Sequence, residues 1–155
     1  MKKLILIPFI SLFLLTGTSC VKDKSCVNKT VASEEGTMMA FATANGITAT
    51  RHSTGLYYQI IAGGSGTVPN LSSTVSVTYT GKFLDGTLFE QVGSPTALFP
   101  VSQFIPGWQV GLQQIQKGGS IKLIVPSSMA YGCKGYATIP GNTILYFEIT
   151  LVDVQ

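Results

Sequence analysis

PGWQVGLQQIQKGGSIKLIVP, residues 106–126, decides the fold class. Pro106 suits the first turn of a helix, where its missing N–H would have had no partner. Trp108, Leu112 and Ile115 then recur at i, i+4 and i+7, so they share one face. Gly118-Gly119 ends the helix. Ile121-Lys122-Leu123-Ile124-Val125 follows as a β-prone run and stops at Pro126. Beyond it, residues 127–143 form a loop rich in Gly and Tyr. Residues 144–154 alternate Leu145, Phe147, Ile149 and Leu151 against Tyr146, Glu148 and Thr150, which is a half-buried strand.

The N-terminal side repeats the strand signal. Residues 75–80 alternate with period two, Asp85-Gly86 marks a hairpin-like turn, and Leu88-Phe89 and Leu98–Val101 are short strand candidates. Residues 55–61 form a stronger one, and 47–50 are β-prone. Ahead of these, Ser33 precedes Glu34-Glu35, a capping hydroxyl followed by acids. Met38, Met39, Phe41 and Ala42 give an apolar stripe, and Gly46 is a stop, so a helix is predicted over about residues 34–45. The sum is an α+β chain: an antiparallel sheet of about five or six strands, a central helix packed on it, and an N-terminal helical extension.

Composition narrows the function. Of 155 residues, 11% are charged and 45% hydrophobic. That excludes a disordered chain and supplies one core. The formal charge of +3 includes Lys2 and Lys3; without them eight basic residues face seven acidic ones. Such a balance gives nucleic acid no electrostatic footprint. The single His52 sits in a polar turn-like stretch, and no Cys/His cluster has zinc spacing, so no metal and no cofactor is expected. Neither a nucleophile motif, a convincing pair of carboxylates nor a phosphate-cradling glycine loop is present. Chemistry on this chain should need no proton transfer.

The first residues read as an address. Lys2-Lys3 and an apolar run from Leu4 to Leu15, broken by Pro8 and Ser11, make a secretory signal too short to span a bilayer. Thr16-Gly17-Thr18-Ser19-Cys20 resembles the lipobox of bacterial lipoproteins, with Gly17 where Leu is usual. This implies cleavage before Cys20 and a lipid anchor on it; the alternative is an ordinary cleaved signal with Cys20 a thiol. The expected organisation is a signal at 1–19, a tether at 20–32, a helical extension at 33–50 and a folded domain at 51–155. Export to the cell envelope would place Cys26 and Cys133 where thiols pair. A Cys26–Cys133 bridge or two separate buried thiols are both open from sequence.

VTYTG (77–81), DGTLFE (85–90), FIPGW (104–108), GLQQIQKGGSIKLIVP (111–126), AYG (130–132) and IPGNTILYFEITL (139–151) stand in this order and spacing. Together they resemble the FKBP-type peptidyl-prolyl cis-trans isomerases over about residues 55–155. The resemblance implies a twisted antiparallel sheet curled around a short helix, with an apolar active-site pocket between them. Trp108 would be its floor, and Tyr79, Phe89 and Phe147 its aromatic walls. Phe104 and Ile105 would lead into the helix, with the Ile105 N–H donating to a substrate carbonyl. Tyr131 would offer its hydroxyl to another carbonyl, Ile139 would close the far side, and Tyr136 would lie over the mouth.

Three positions depart from the family's pattern. Glu90 replaces an Asp, Ala97 stands where an aromatic is common, and Phe104 is larger than the usual Val. The implied partners are proline-containing polypeptides, reached from a membrane anchor at Cys20. A non-catalytic domain of the same fold, binding chains or partners, is the alternative.

Overall fold

A computed structural model describes residues 26–155. The signal, Cys20 and the first part of the tether lie outside the described residues. Helix α1 (Val31–Ala44) is followed by strands β1 (Thr50–Arg51), β2 (Tyr57–Ala62), β3 (Thr74–Phe83), β4 (Leu88–Val92) and β5 (Phe99–Pro100). Helix α2 (Pro106–Leu112), β6 (Ser120–Val125) and β7 (Leu145–Val154) complete the chain. The strands form one antiparallel sheet in the order β1-β2-β6-β7-β3-β4, with β5 beside β3. The α+β layout follows the alternation of its strands. The count is seven rather than five or six: the β-prone stretch at 47–50 and the candidate at 98–101 each contribute a strand of only two residues, β1 beginning at Thr50.

The sheet's inner face is built from residues in step with the pleat. Val75 and Val77 on β3, Ile121, Leu123 and Val125 on β6, and Leu145, Phe147, Ile149 and Leu151 on β7 pack with Trp108, Leu112 and Ile115. Burial of such side chains stabilises by roughly 1.5–3 kcal/mol each. Helix α2 ends at Leu112, earlier than the Gly118-Gly119 stop suggested. Ile115 nonetheless stays buried, because the following turn folds it back onto the sheet.

Ile124 and Tyr146 are the apolar interruptions on the outer face, and α1 covers them with Met38 and Ala42. Two details of α1 differ from expectation. Its cap is Thr30, whose Oγ1 accepts the Ser33 N–H at 3.2 Å, while the Ser33 hydroxyl turns back to the Thr30 carbonyl at 2.7 Å. The helix therefore starts inside the stretch read as tether. Its buried stripe is Glu34, Met38 and Ala42, whereas Met39 is 53% exposed. Spacing i, i+4, i+8 selects one of two adjacent methionines, since neighbours on a helix point about 100° apart.

Candidate functional site

The open side of the inner face, beside the start of α2, holds a cleft of about 250 Å³. It is lined by Tyr79, Glu90, Gln103, Phe104, Ile105, Trp108, Tyr131, Tyr136 and Phe147. The volume lies just below the range of drug-sized ligand pockets, ~300–1,000 Å³, and suits a small apolar group.

Trp108 is the hub. It projects from the first turn of α2 and is 5% exposed. The Tyr79 ring meets it edge-on at 4.9 Å between centroids, Phe147 edge-on at 5.2 Å, and Phe104 tilted at 5.1 Å. Such edge-to-face pairs contribute about 0.5–1.5 kcal/mol beyond burial and fix ring orientation. Gly81, paired with Phe147 across β3 and β7, makes the wall possible. A Cβ there would lie 2.6 Å from Phe89 and 3.0 Å from Phe147.

Two of the residues that line this apolar surface, Ile105 and Tyr131, carry polar groups. Ile105 is the cap of α2, and its carbonyl accepts from Trp108 N–H at 2.9 Å and Gln109 N–H at 3.1 Å. No acceptor among the described residues takes the Ile105 N–H. Gln109 steadies the segment by donating Nε2 to the Phe104 carbonyl at 2.7 Å and the Ser102 carbonyl at 3.1 Å. Tyr131 stacks on Tyr136, 5.2 Å between centroids and 16° between planes. Tyr136 is 66% exposed and forms the outer lip.

Burial pushes the Tyr79 phenol up, and the Glu90 carboxylate beside it adds to the shift. Burial likewise raises Tyr131, followed by the charge of Glu90 and the neighbouring Tyr136. Both hydroxyls therefore stay protonated, as donors, at neutral pH. The longer Glu90 arm still brings its carboxylate beside Tyr79.

Phe89 and Ile139 do not line the cavity. Phe89 stands behind Phe147, edge-on at 5.7 Å. Ile139 is buried in the core and holds the Tyr136 turn through paired backbone bonds of 2.8 and 2.9 Å. Gln103, Gln109 and Gly81 were not singled out from sequence. For Gly81 the signal was available, since a glycine within a strand often marks close approach by a neighbour.

Cys26 and Cys133 are joined by a disulfide, with Cα atoms 5.5 Å apart. Among the described residues no group of three His, Cys, Asp or Glu converges as a metal site, and no helix is long and apolar enough to cross a membrane.

A family model described as FKBP-type peptidyl-prolyl cis-trans isomerase matches residues 66–152. FkpA of Escherichia coli K12, described as a member of that family, is 44% identical over 106 residues, covering 66% of this chain and 39% of its own. Outer membrane protein MIP of Legionella longbeachae is 44% identical over 105 residues, covering 65% and 45%. The crystal structure of Escherichia coli FkpA superposes with a TM-score of 0.72 at 40% identity, over 80% of this chain and 58% of that one. The chain thus spans less than half the length of these two curated relatives. A match over more than half of this sequence, on a sheet and helix arranged alike, has one meaning: the chain belongs to the FKBP-type peptidyl-prolyl cis-trans isomerase family.

Proposed function

We propose that this chain accelerates cis–trans isomerisation of X–Pro bonds in polypeptides folding in the cell envelope. The observation that carries the reading is the cleft. An indole floor and aromatic walls are flanked by a backbone N–H at Ile105 and a phenol at Tyr131. Rotation about an X–Pro bond takes tens to hundreds of seconds unaided, behind a barrier of about 18–20 kcal/mol. The barrier is lost amide resonance. In the twisted state the C–N bond is nearly single and the carbonyl less polarised. Water favours the planar amide, so an apolar hollow favours the twisted one. Trp108, Tyr79 and Phe147 supply the hollow and accept the proline ring. The Ile105 N–H and Tyr131 hydroxyl hold the flanking carbonyls while the imide turns. Each 1.36 kcal/mol of differential binding gives about tenfold in rate, so modest effects suffice.

The address belongs to the same reading. Lipidation at Cys20 would tether the domain to a membrane, with proline-containing chains as substrates and the envelope as its place. The Legionella relative, an outer membrane protein by name, supports an envelope setting.

Phe104 favours a second reading, a domain that binds chains without turning them over, because its ring stands against Trp108 and narrows the cleft. An isomerisation assay on an X–Pro peptide separates the two. The first expects wild type well above the buffer rate and Trp108→Leu close to it. Wild type at the buffer rate, with peptide still bound, selects the second. Labelling with a radioactive fatty acid, lost in Cys20→Ser, tests the anchor.

A further inference from the structure

The wall that carries Tyr131 is fastened from both sides by the N-terminal extension. On one side, the Ser127 N–H donates to Oε2 of Glu34 on α1 at 2.8 Å, and Glu34 is 2% exposed. The Ser127 carbonyl accepts from Ala130 N–H at 3.1 Å and Gly132 N–H at 2.9 Å, so the turn anchored by Glu34 ends on the residues either side of Tyr131.

On the other side, Asn28 Oδ1 accepts the Cys133 N–H at 2.7 Å. Gly132 has φ +59°, and a Cβ on it would sit 2.7 Å from the same oxygen, so the amide lies directly against this backbone. Asn142 ties the arm down further. Its Oδ1 accepts the Lys29 N–H at 3.0 Å, its Nδ2 donates to the Val27 carbonyl at 3.1 Å, and its own N–H donates to the Gly132 carbonyl at 2.7 Å. The Cys26–Cys133 disulfide closes the clasp.

Tyr131 is therefore held between two groups that come from far upstream in the chain. Neither Asn28 nor Glu34 lines the cleft. Gly132 supplies the αL backbone after Tyr131, with its own N–H and carbonyl paired to Ser127 and Asn142, and the Asn28 carboxamide takes the next N–H, that of Cys133.

We propose that Asn28 is a positioning residue for the isomerase site, holding the backbone that follows Tyr131 so that its hydroxyl stays aimed into the cleft against the Glu34-anchored turn. The inference rests on the isomerase reading for the consequence in rate, and on hydrogen bonds alone for the position of Tyr131. The arm before α1 is then a working part of the site rather than a spacer.

The test is a double-mutant cycle on the full, oxidised chain, with Asn28→Ala, Asn28→Asp, Tyr131→Phe and the double variant Asn28→Ala with Tyr131→Phe. Loss of one aimed hydrogen bond predicts kcat/KM about fivefold lower in Asn28→Ala. Asn28→Asp keeps an acceptor in place and restores most of that loss. Adding Asn28→Ala to Tyr131→Phe costs nothing further, because the group it aims is gone. A purely structural role would instead lower both backgrounds equally, and that result overturns the proposal.

A readout free of turnover is NMR titration of carbon-labelled tyrosine. Burial is the main cause of the raised Tyr131 phenol, so a ring loosened by Asn28→Ala titrates closer to its ordinary range; a titration and a kcat/KM both unmoved overturn the proposal. A wild type silent in the assay, with Tyr131 still moved by Asn28→Ala, sinks the isomerase reading and leaves the positioning intact.

Discussion

Trp108 and Phe147 meet edge to face, 5.2 Å between ring centres and 89° between planes. One ring comes from the first turn of α2 and the other from near the start of β7. Their right angle makes a corner rather than a stack, and a corner leaves room for a third, small apolar ring. The proposed chemistry depends on that corner.

Trp108→Leu removes the floor and three aromatic contacts at once. The residual isomerisation rate should fall below about a tenth of wild type, a loss of more than ~1.4 kcal/mol in transition-state stabilisation. Stability should fall too, by about 1–3 kcal/mol, because the site is buried and the replacement smaller. Peptide isomerisation and urea unfolding on the same samples check both.

Tyr131→Phe keeps the ring and its stacking on Tyr136 but deletes a donor. The expected loss is about three- to tenfold in kcat/KM, the worth of one net hydrogen bond of roughly 1 kcal/mol. The thermal midpoint should move little. A midpoint that drops as far as in Trp108→Leu would mean the hydroxyl serves the fold rather than the substrate.

Gly81→Val should close the cleft from behind. Its side chain would drive into Phe89 and Phe147, which a strand paired on both sides does not let move. Overpacking of this kind costs about 1–3 kcal/mol. Fluorescence of Trp108, the sole tryptophan, should lose its response to added proline peptide even where the chain remains folded.

The pH profile distinguishes rotation in an apolar hollow from acid–base catalysis. Tyr79 and Tyr131 are both raised, so their folded forms keep the proton through the range where free phenols lose it. The rate should be flat between about pH 6 and about pH 9, since neither hydroxyl titrates there. For a group raised in the folded state, the stabilising contribution is whole below the unfolded value. Stability should accordingly decline as pH rises above about 10, where unfolded tyrosines ionise first. A bell-shaped rate profile centred near neutrality would contradict the mechanism.

Reducing the Cys26–Cys133 bridge opens a loop with a sequence separation of 107. Loop-closure entropy alone sets a ceiling of about 5 kcal/mol for a loop of this length, and the expected destabilisation is the usual ~2–4 kcal/mol. Denaturant unfolding of the oxidised chain against Cys26→Ser with Cys133→Ser measures it, and coincident curves would show that the bridge does not constrain the unfolded chain.

Much of this protein is legible in its sequence. Pro106 opening a helix, the i, i+4, i+7 face of Trp108, Leu112 and Ile115, and the strict alternation in β7 are local properties, set by backbone geometry and side-chain period. They fixed an antiparallel sheet with one helix on it, and ordered motifs pointed to the cleft residues. Contacts between segments distant in the chain were another matter. Spacing could not tell that Phe89 and Ile139 stand behind the cleft rather than in it, that Thr30 caps α1, or that Gln109 braces Phe104 and Ile105. Nor could it show Asn28 and Glu34 closing on the loop of Tyr131. Those contacts join groups that share no period and no neighbourhood in sequence; only the chain's path through space, with the sheet's twist setting which loops meet, brings them together.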